Sequence, residues 1–211
     1  MTPCVDLNSS MFRRTALLLL FSFTLTACTP LWQTRPDMSP ETLWQARQIE
    51  LLQFNNWKIQ GRTVIRNKQE AWNVGLRWQQ NNKDFQIQLL GPFAQGGVSI
   101  EGDDNFVIMT MDDGQKLQST NVEELIAKTL GVALPINALR DWVRGLPYQQ
   151  SKIELIEYDE KGRIIHLVQQ GWDIGFKRYV PFKQYSLPSK IFITQADRSL
   201  RLVITSWKND L

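Results

Sequence analysis

Cysteine and histidine are nearly missing from this chain, which has Cys4, Cys28 and His166 in 211 residues. Scarcity of both excludes a Cys/His zinc site, and Cys4 falls in a segment expected to be removed, so no disulfide framework is available either. His166 sits in "RIIHLVQQ", mid-strand among apolar neighbours, without a second histidine at ligand spacing; it reads as a strand-surface or packed residue. A G-x-S-x-G elbow and a Walker loop are lacking too. The acid pairs Asp103-Asp104 and Asp112-Asp113 stand in hairpin turns, where Asp serves local hydrogen bonds, and they lack calcium-loop spacing. The expectation is a protein that is not an enzyme and uses no metal or cofactor. Strong charge of one sign is also absent. The formal net charge is +3, and no basic stripe interleaved with aromatics marks a nucleic-acid partner. The apolar run Ala16 to Leu25 is too short to cross a bilayer comfortably.

What is present begins with that run. Arg13 and Arg14, the apolar stretch and then small residues make the layout of a secretory signal peptide, whether the start is Met1 or Met11. It ends in Leu25-Thr26-Ala27-Cys28, which resembles a lipobox. Residues 1–27 are therefore expected to be removed, and Cys28 to carry an N-acyl chain and an S-diacylglycerol. Thr29 in place of Asp implies export to the outer membrane, facing the periplasm. Three acyl chains exceed the two signals that stable anchoring needs. Residues 28–38 read as a tether and residues 39–211 as one domain.

In that domain Ser39-Pro40-Glu41 starts a helix, with Ser as cap and Pro in the first turn. Period-two alternation follows: Trp57, Ile59, Thr63 and Ile65, then Trp72, Val74, Leu76 and Trp78, then Phe85, Ile87 and Leu89. Two helical stripes interrupt the strands. "NVEELIAKTLG" has Asn121 and Glu124 spaced like a capping box and Gly131 as a stop; "LPINALRDWVRGLP" puts Leu139, Trp142, Val143 and Leu146 on one face. Strands then resume to Trp207. The count is about eleven strands, six before the helix pair and five after, in an antiparallel meander with one dry face. So large a twisted sheet must curl. The expected architecture is an open antiparallel half-barrel with three helices covering its concave apolar face. A Phe, Phe93, stands in the turn "LLGPFAQGG", where it needs an apolar partner.

The lipobox, "LLGPFAQGG", "LPINALRDWVRGLP", "GWDIGFKRY" and "LPSKIFI…SLRLVITSW" together resemble the LolB family of outer-membrane lipoprotein receptors. The resemblance implies a fold like that of the periplasmic carrier LolA. It also implies a passive role: taking triacylated lipoproteins from a LolA-type carrier and placing them in the inner leaflet of the outer membrane. The cargo's acyl chains would enter a cavity walled by Trp78, Ile87, Leu89, Leu125, Trp142 and Phe176. Gly91, Pro92 and Phe93 would form the membrane-insertion loop, Phe93 standing where the family form has Leu. Nothing in the sequence calls for an oligomer. Two other functions fit the same shape: a carrier or sensor of another amphiphile, such as a phospholipid or glycolipid, and an envelope lipoprotein with a packed interior.

Overall fold

A computed structural model of the chain describes residues 38–91 and 96–209. The expected signal peptide, Cys28, the tether up to residue 37, Pro92 and Phe93 lie outside the described residues.

Eleven strands form one antiparallel sheet. The first meander comprises β1 (Asn56–Arg66), β2 (Ala71–Asn81), β3 (Asp84–Leu90), β4 (Gly97–Gly102), β5 (Val107–Thr110) and β6 (Lys116–Ser119). The second comprises β7 (Ile153–Tyr158), β8 (Ile164–Gln169), β9 (Trp172–Phe182), β10 (Tyr185–Gln195) and β11 (Arg198–Lys208). The order β6-β5-β4-β3-β2-β1-β11-β10-β9-β8-β7 shows that β1 and β11 zip the two meanders together. The edges are β6 and β7, so the sheet is open.

Alternation does what the residue pattern predicts. Ile59 pairs with Trp78, Trp78 with Ile87, Ile87 with Ile100, and Ile100 with Met109. All five are buried, a continuous apolar ladder on one face. Across the other meander Leu200, Ile193, Ile174 and Leu167 continue it.

The helices are α1 (Pro40–Leu52), α2 (Val122–Leu130) and α3 (Ile136–Trp142). Because α2 and α3 connect edge strand β6 to the opposite edge strand β7, they cross the sheet. They do so on its apolar side, burying Val122, Ile126, Leu139 and Trp142. Asn121 caps α2 by accepting from the Glu123 and Glu124 amides at 3.0 and 3.1 Å, and Gly131 ends it in the left-handed region at φ 65°, where Gly carries no Cβ penalty. The expected reciprocal capping box is only half made. The Asn121 amide donates to Ser119 Oγ, and Glu124 pairs with Lys128 at 2.7 Å.

Two boundaries differ from the pattern. Helix α3 stops at Trp142 although its apolar stripe runs on to Leu146, because Gly145 turns the chain at φ 80° ahead of Pro147. Val143 and Leu146 are fully buried all the same. The β9–β10 hairpin extends past Pro181 and Pro188, residues that discourage a strand reading. Both stand where the ladder has lost its far neighbour: β8 pairs β9 only over Trp172–Gly175, and β11 pairs β10 from Lys190 onward. A missing amide there breaks no second bond.

Candidate functional site

The apolar face is covered unequally. Over the β7–β11 meander the cover is fastened by buried hydrogen bonds. Arg144, 4% exposed, donates to the carbonyls of Leu51 and Phe54 at the end of α1, at 3.2 and 2.8 Å, and to Asn55 Oδ1 at 3.0 Å. Its other arm meets Asp141 Oδ1 at 2.5 Å. Burial pushes the Asp141 carboxyl up, and the Arg144 guanidinium beside it opposes that shift. One side chain thus bonds two carbonyls at and just past the end of α1 and ties α1 to the end of α3. A second node is Gln169, also fully buried. Its Oε1 accepts from Trp142 Nε1 at 3.0 Å and the Tyr148 amide at 2.9 Å, and its Nε2 donates to the Tyr148 and Ser151 carbonyls. Helix α1 is held again where Trp44 stacks on Tyr158, ring centroids 5.6 Å apart. Beside it Gly162, at φ 66°, lets the β7–β8 turn approach so closely that a Cβ would sit 2.6 Å from Leu43 Cβ.

Over β1–β4 the cover is α2 together with the α2–α3 connection and the start of α3, and apart from Thr63 the side chains around the space between them and the sheet are apolar. A cavity of about 40 Å³ lies there, bounded by Leu76, Trp78, Ile87 and Ile100 from the sheet and by Ile126 and Leu139 from the helices. Thr63 is the polar side chain in its lining, and its buried hydroxyl has no hydrogen-bond partner among the described residues. Ile65 and Leu89 belong both to this cavity and to a surface groove of about 750 Å³. Trp72, Val74 and Val98 supply the apolar wall of the groove, and Lys128 and Asp112 its rim. Gly91 and Gly96 border the groove as well.

The polar ties of α2 are few. Asn67 Nδ2 donates to the Gly131 carbonyl at 3.4 Å. The Asn137 amide donates to the Glu123 carboxyl, which burial nevertheless holds above the usual carboxylate range.

Of the six wall residues expected from the sequence, Trp78, Ile87 and Leu89 border this cavity. Leu125 is buried on α2 beside Ile126, which takes the cavity position. Trp142 and Phe176 lie under the fastened half, Trp142 against Trp172 at 6.5 Å and Phe176 against Tyr179 at 6.2 Å. Ile65, Leu76 and Ile100 border the cavity too and share alternation parity with Trp78, Ile87 and Leu89. His166 is on the strand surface, its Nε2 3.1 Å from Asp173 and its Nδ1 3.4 Å from Glu157. Among the described residues no group of three or more His, Cys, Asp and Glu could hold a metal, and no helix is long and apolar enough to cross a membrane.

The family model for the outer membrane lipoprotein LolB matches residues 55–207. The chain belongs to the LolB family. Its relatives include the outer-membrane lipoprotein LolB of Nitrosococcus oceani, 35% identical over 92% of this chain and 97% of that protein. That of Halorhodospira halophila is 32% identical over 90% and 92%. The fold recurs at far lower identity. A DUF1329 family protein from Desulfovibrio piger superposes with a TM-score of 0.53 at 7% identity, covering 82% of this chain and 95% of that one. A domain from Vibrio parahaemolyticus, described as an outer membrane lipoprotein-sorting protein, gives 0.52 at 8% identity, covering 80% and 91%. LolB relatives are named as outer-membrane lipoproteins, the setting the lipobox suggested.

Proposed function

We propose that this chain is a receptor that takes triacylated lipoproteins from a LolA-type periplasmic carrier and delivers them to the inner leaflet of the outer membrane. Lipid on Cys28 anchors it there, facing the periplasm. The observation that carries the reading is the apolar cavity under α2 and α3, which shares the wall residues Ile65 and Leu89 with an open groove bordered by Gly91 and Gly96.

At about 40 Å³ the cavity exceeds one water's share of liquid volume, ~30 Å³, only slightly. No acyl chain fits until α2 and the α2–α3 connection move outward. That movement separates apolar surfaces and breaks few polar bonds, and an entering chain restores the burial at roughly 0.8 kcal/mol per methylene. Cargo thus replaces the helix against the same wall, and neither a cofactor nor a catalytic step is required. Thr63 offers its unpartnered hydroxyl to an acyl carbonyl at that wall. Phe93 touches the bilayer, where full withdrawal from water is worth roughly 1.5–3 kcal/mol, enough to bias contact but too little to anchor.

The test is transfer of a radiolabelled lipoprotein from its loaded carrier to this protein. Label passing to the receptor is expected, and label staying on the carrier at equilibrium sinks the reading. Phe93→Glu should still accept cargo but fail to deliver it to liposomes; equal delivery by variant and wild type removes the loop from the mechanism.

A further inference from the structure

The face of the sheet opposite the helices carries a charge pattern that no single strand reveals. Strands β2, β1, β11, β10 and β9 are neighbours, and Asp173 is the one carboxylate on them. Their outward positions hold Arg62, Arg66, Arg77, Lys177, Arg201 and Lys208, all exposed. Arg62 pairs with Gly75 on one side and Val203 on the other, so Arg77 and Arg201 are its diagonal neighbours at roughly 7–8 Å. Lys58 is directly opposite Lys208, an arrangement of like charges that costs stability. Arg201 and Lys190 flank the same Phe192 ring at 5.3 and 5.5 Å. Among the described residues none of the six exposed cations forms an ion pair. Asp173 already faces His166.

We propose that this outer face is a docking surface for anionic phospholipid headgroups, holding the receptor flat against the leaflet it serves. Spread over five strands, ~20 Å at the usual spacing, the cations suit a diffuse planar array of phosphates. A compact ligand would need convergent donors, and these side chains diverge from an outward sheet face. Exposed cations this close together raise the local positive potential and favour an anionic partner. The proposal rests on the outer-membrane setting and not on cargo transfer, so the two fail separately.

The test uses the full chain with Cys28→Ala, which removes the acylation site, floated with vesicles of phosphatidylcholine alone or with phosphatidylglycerol. The anionic lipid should raise binding about tenfold or more at low salt, with the gain lost at high salt. R62E/R77E/R201E should abolish the gain. K116E/K152E/K161E, an equal charge change on exposed turn and edge positions, should keep it. Equal loss in both variants, or loss in neither, overturns the proposal. So does a face variant that retains the vesicle gain but no longer receives lipoprotein from the carrier, because the face would then be a protein contact. If the Glu variant melts early, R62Q/R77Q/R201Q replaces it and must still lose most of the gain.

Discussion

The two meanders use one apolar face in opposite ways. Above β7–β11 the cover is nailed down by Arg144 and Gln169, side chains that each satisfy several buried groups at once. Above β1–β4 the cover is α2 with the start of α3, held by apolar contact, one backbone acceptor, one carboxyl and the Arg140–Asp104 ion pair at the surface. Apolar contact is non-directional and tolerates exchange of one oily partner for another, whereas a hydrogen-bonded clamp fixes its geometry. A fixed half and an exchangeable half within one sheet are what the proposed passive transfer would require.

The comparison breaks most visibly at the clamp. Arg144→Leu strips the buried Asp141 carboxylate of its cation and removes the side-chain bonds to the Leu51 and Phe54 carbonyls, and should cost roughly 3–5 kcal/mol, read as a fall in urea midpoint. A variant within 1 kcal/mol (about fivefold in the folding equilibrium) denies that this half is fastened by Arg144. Gln169→Leu should follow at about 2–3 kcal/mol, since it strands the Trp142 indole N–H and the Tyr148 amide; the same denaturation measures it. Asn121→Ala should cost only about 1 kcal/mol and act locally: amide exchange speeds up in α2 while α1 and α3 stay protected. Uniform acceleration would mean that α2 does not open by itself.

The smallest effect concerns acidity. Burial raises the Glu123 pKa above 4.5, so the folded chain holds this proton more tightly than the unfolded one. The penalty of the half-buried carboxylate is therefore present above the folded pKa. It is lost as pH falls from there to 4.5, and over that window α2 becomes more firmly seated. Glu123→Gln should flatten this part of the stability–pH profile; an unchanged profile assigns the effect elsewhere.

Much of this was legible in the sequence. Alternation in β1 to β3 named the dry face correctly from Trp57 to Leu89, because parity is a local property. The caps of α1 and α2 were equally local. The division of the interior was not: Arg144 reaches Leu51 and Phe54 across about ninety residues, and a stripe containing Trp142 looks the same whether it lines a void or fills one. Leu125 and Ile126 differ by a single helical step, and the rotation that chooses between them is set by the sheet below. The outward cations were invisible as a stripe because each strand contributes only one to three of them.

The pairing of β1 with β11 carries a kinetic consequence. Every other ladder joins neighbours in sequence, so each meander can zip from its own hairpins. The seam from Ile59–Trp207 to Ile65–Leu200 instead demands closure of a loop containing nearly the entire domain, the kind of long-range contact that slows folding. Until β11 arrives, β1 and β10 present unpaired edges flanked by apolar surface. The nascent molecule is then most prone to aggregate, and a chain truncated before Arg198 should remain there.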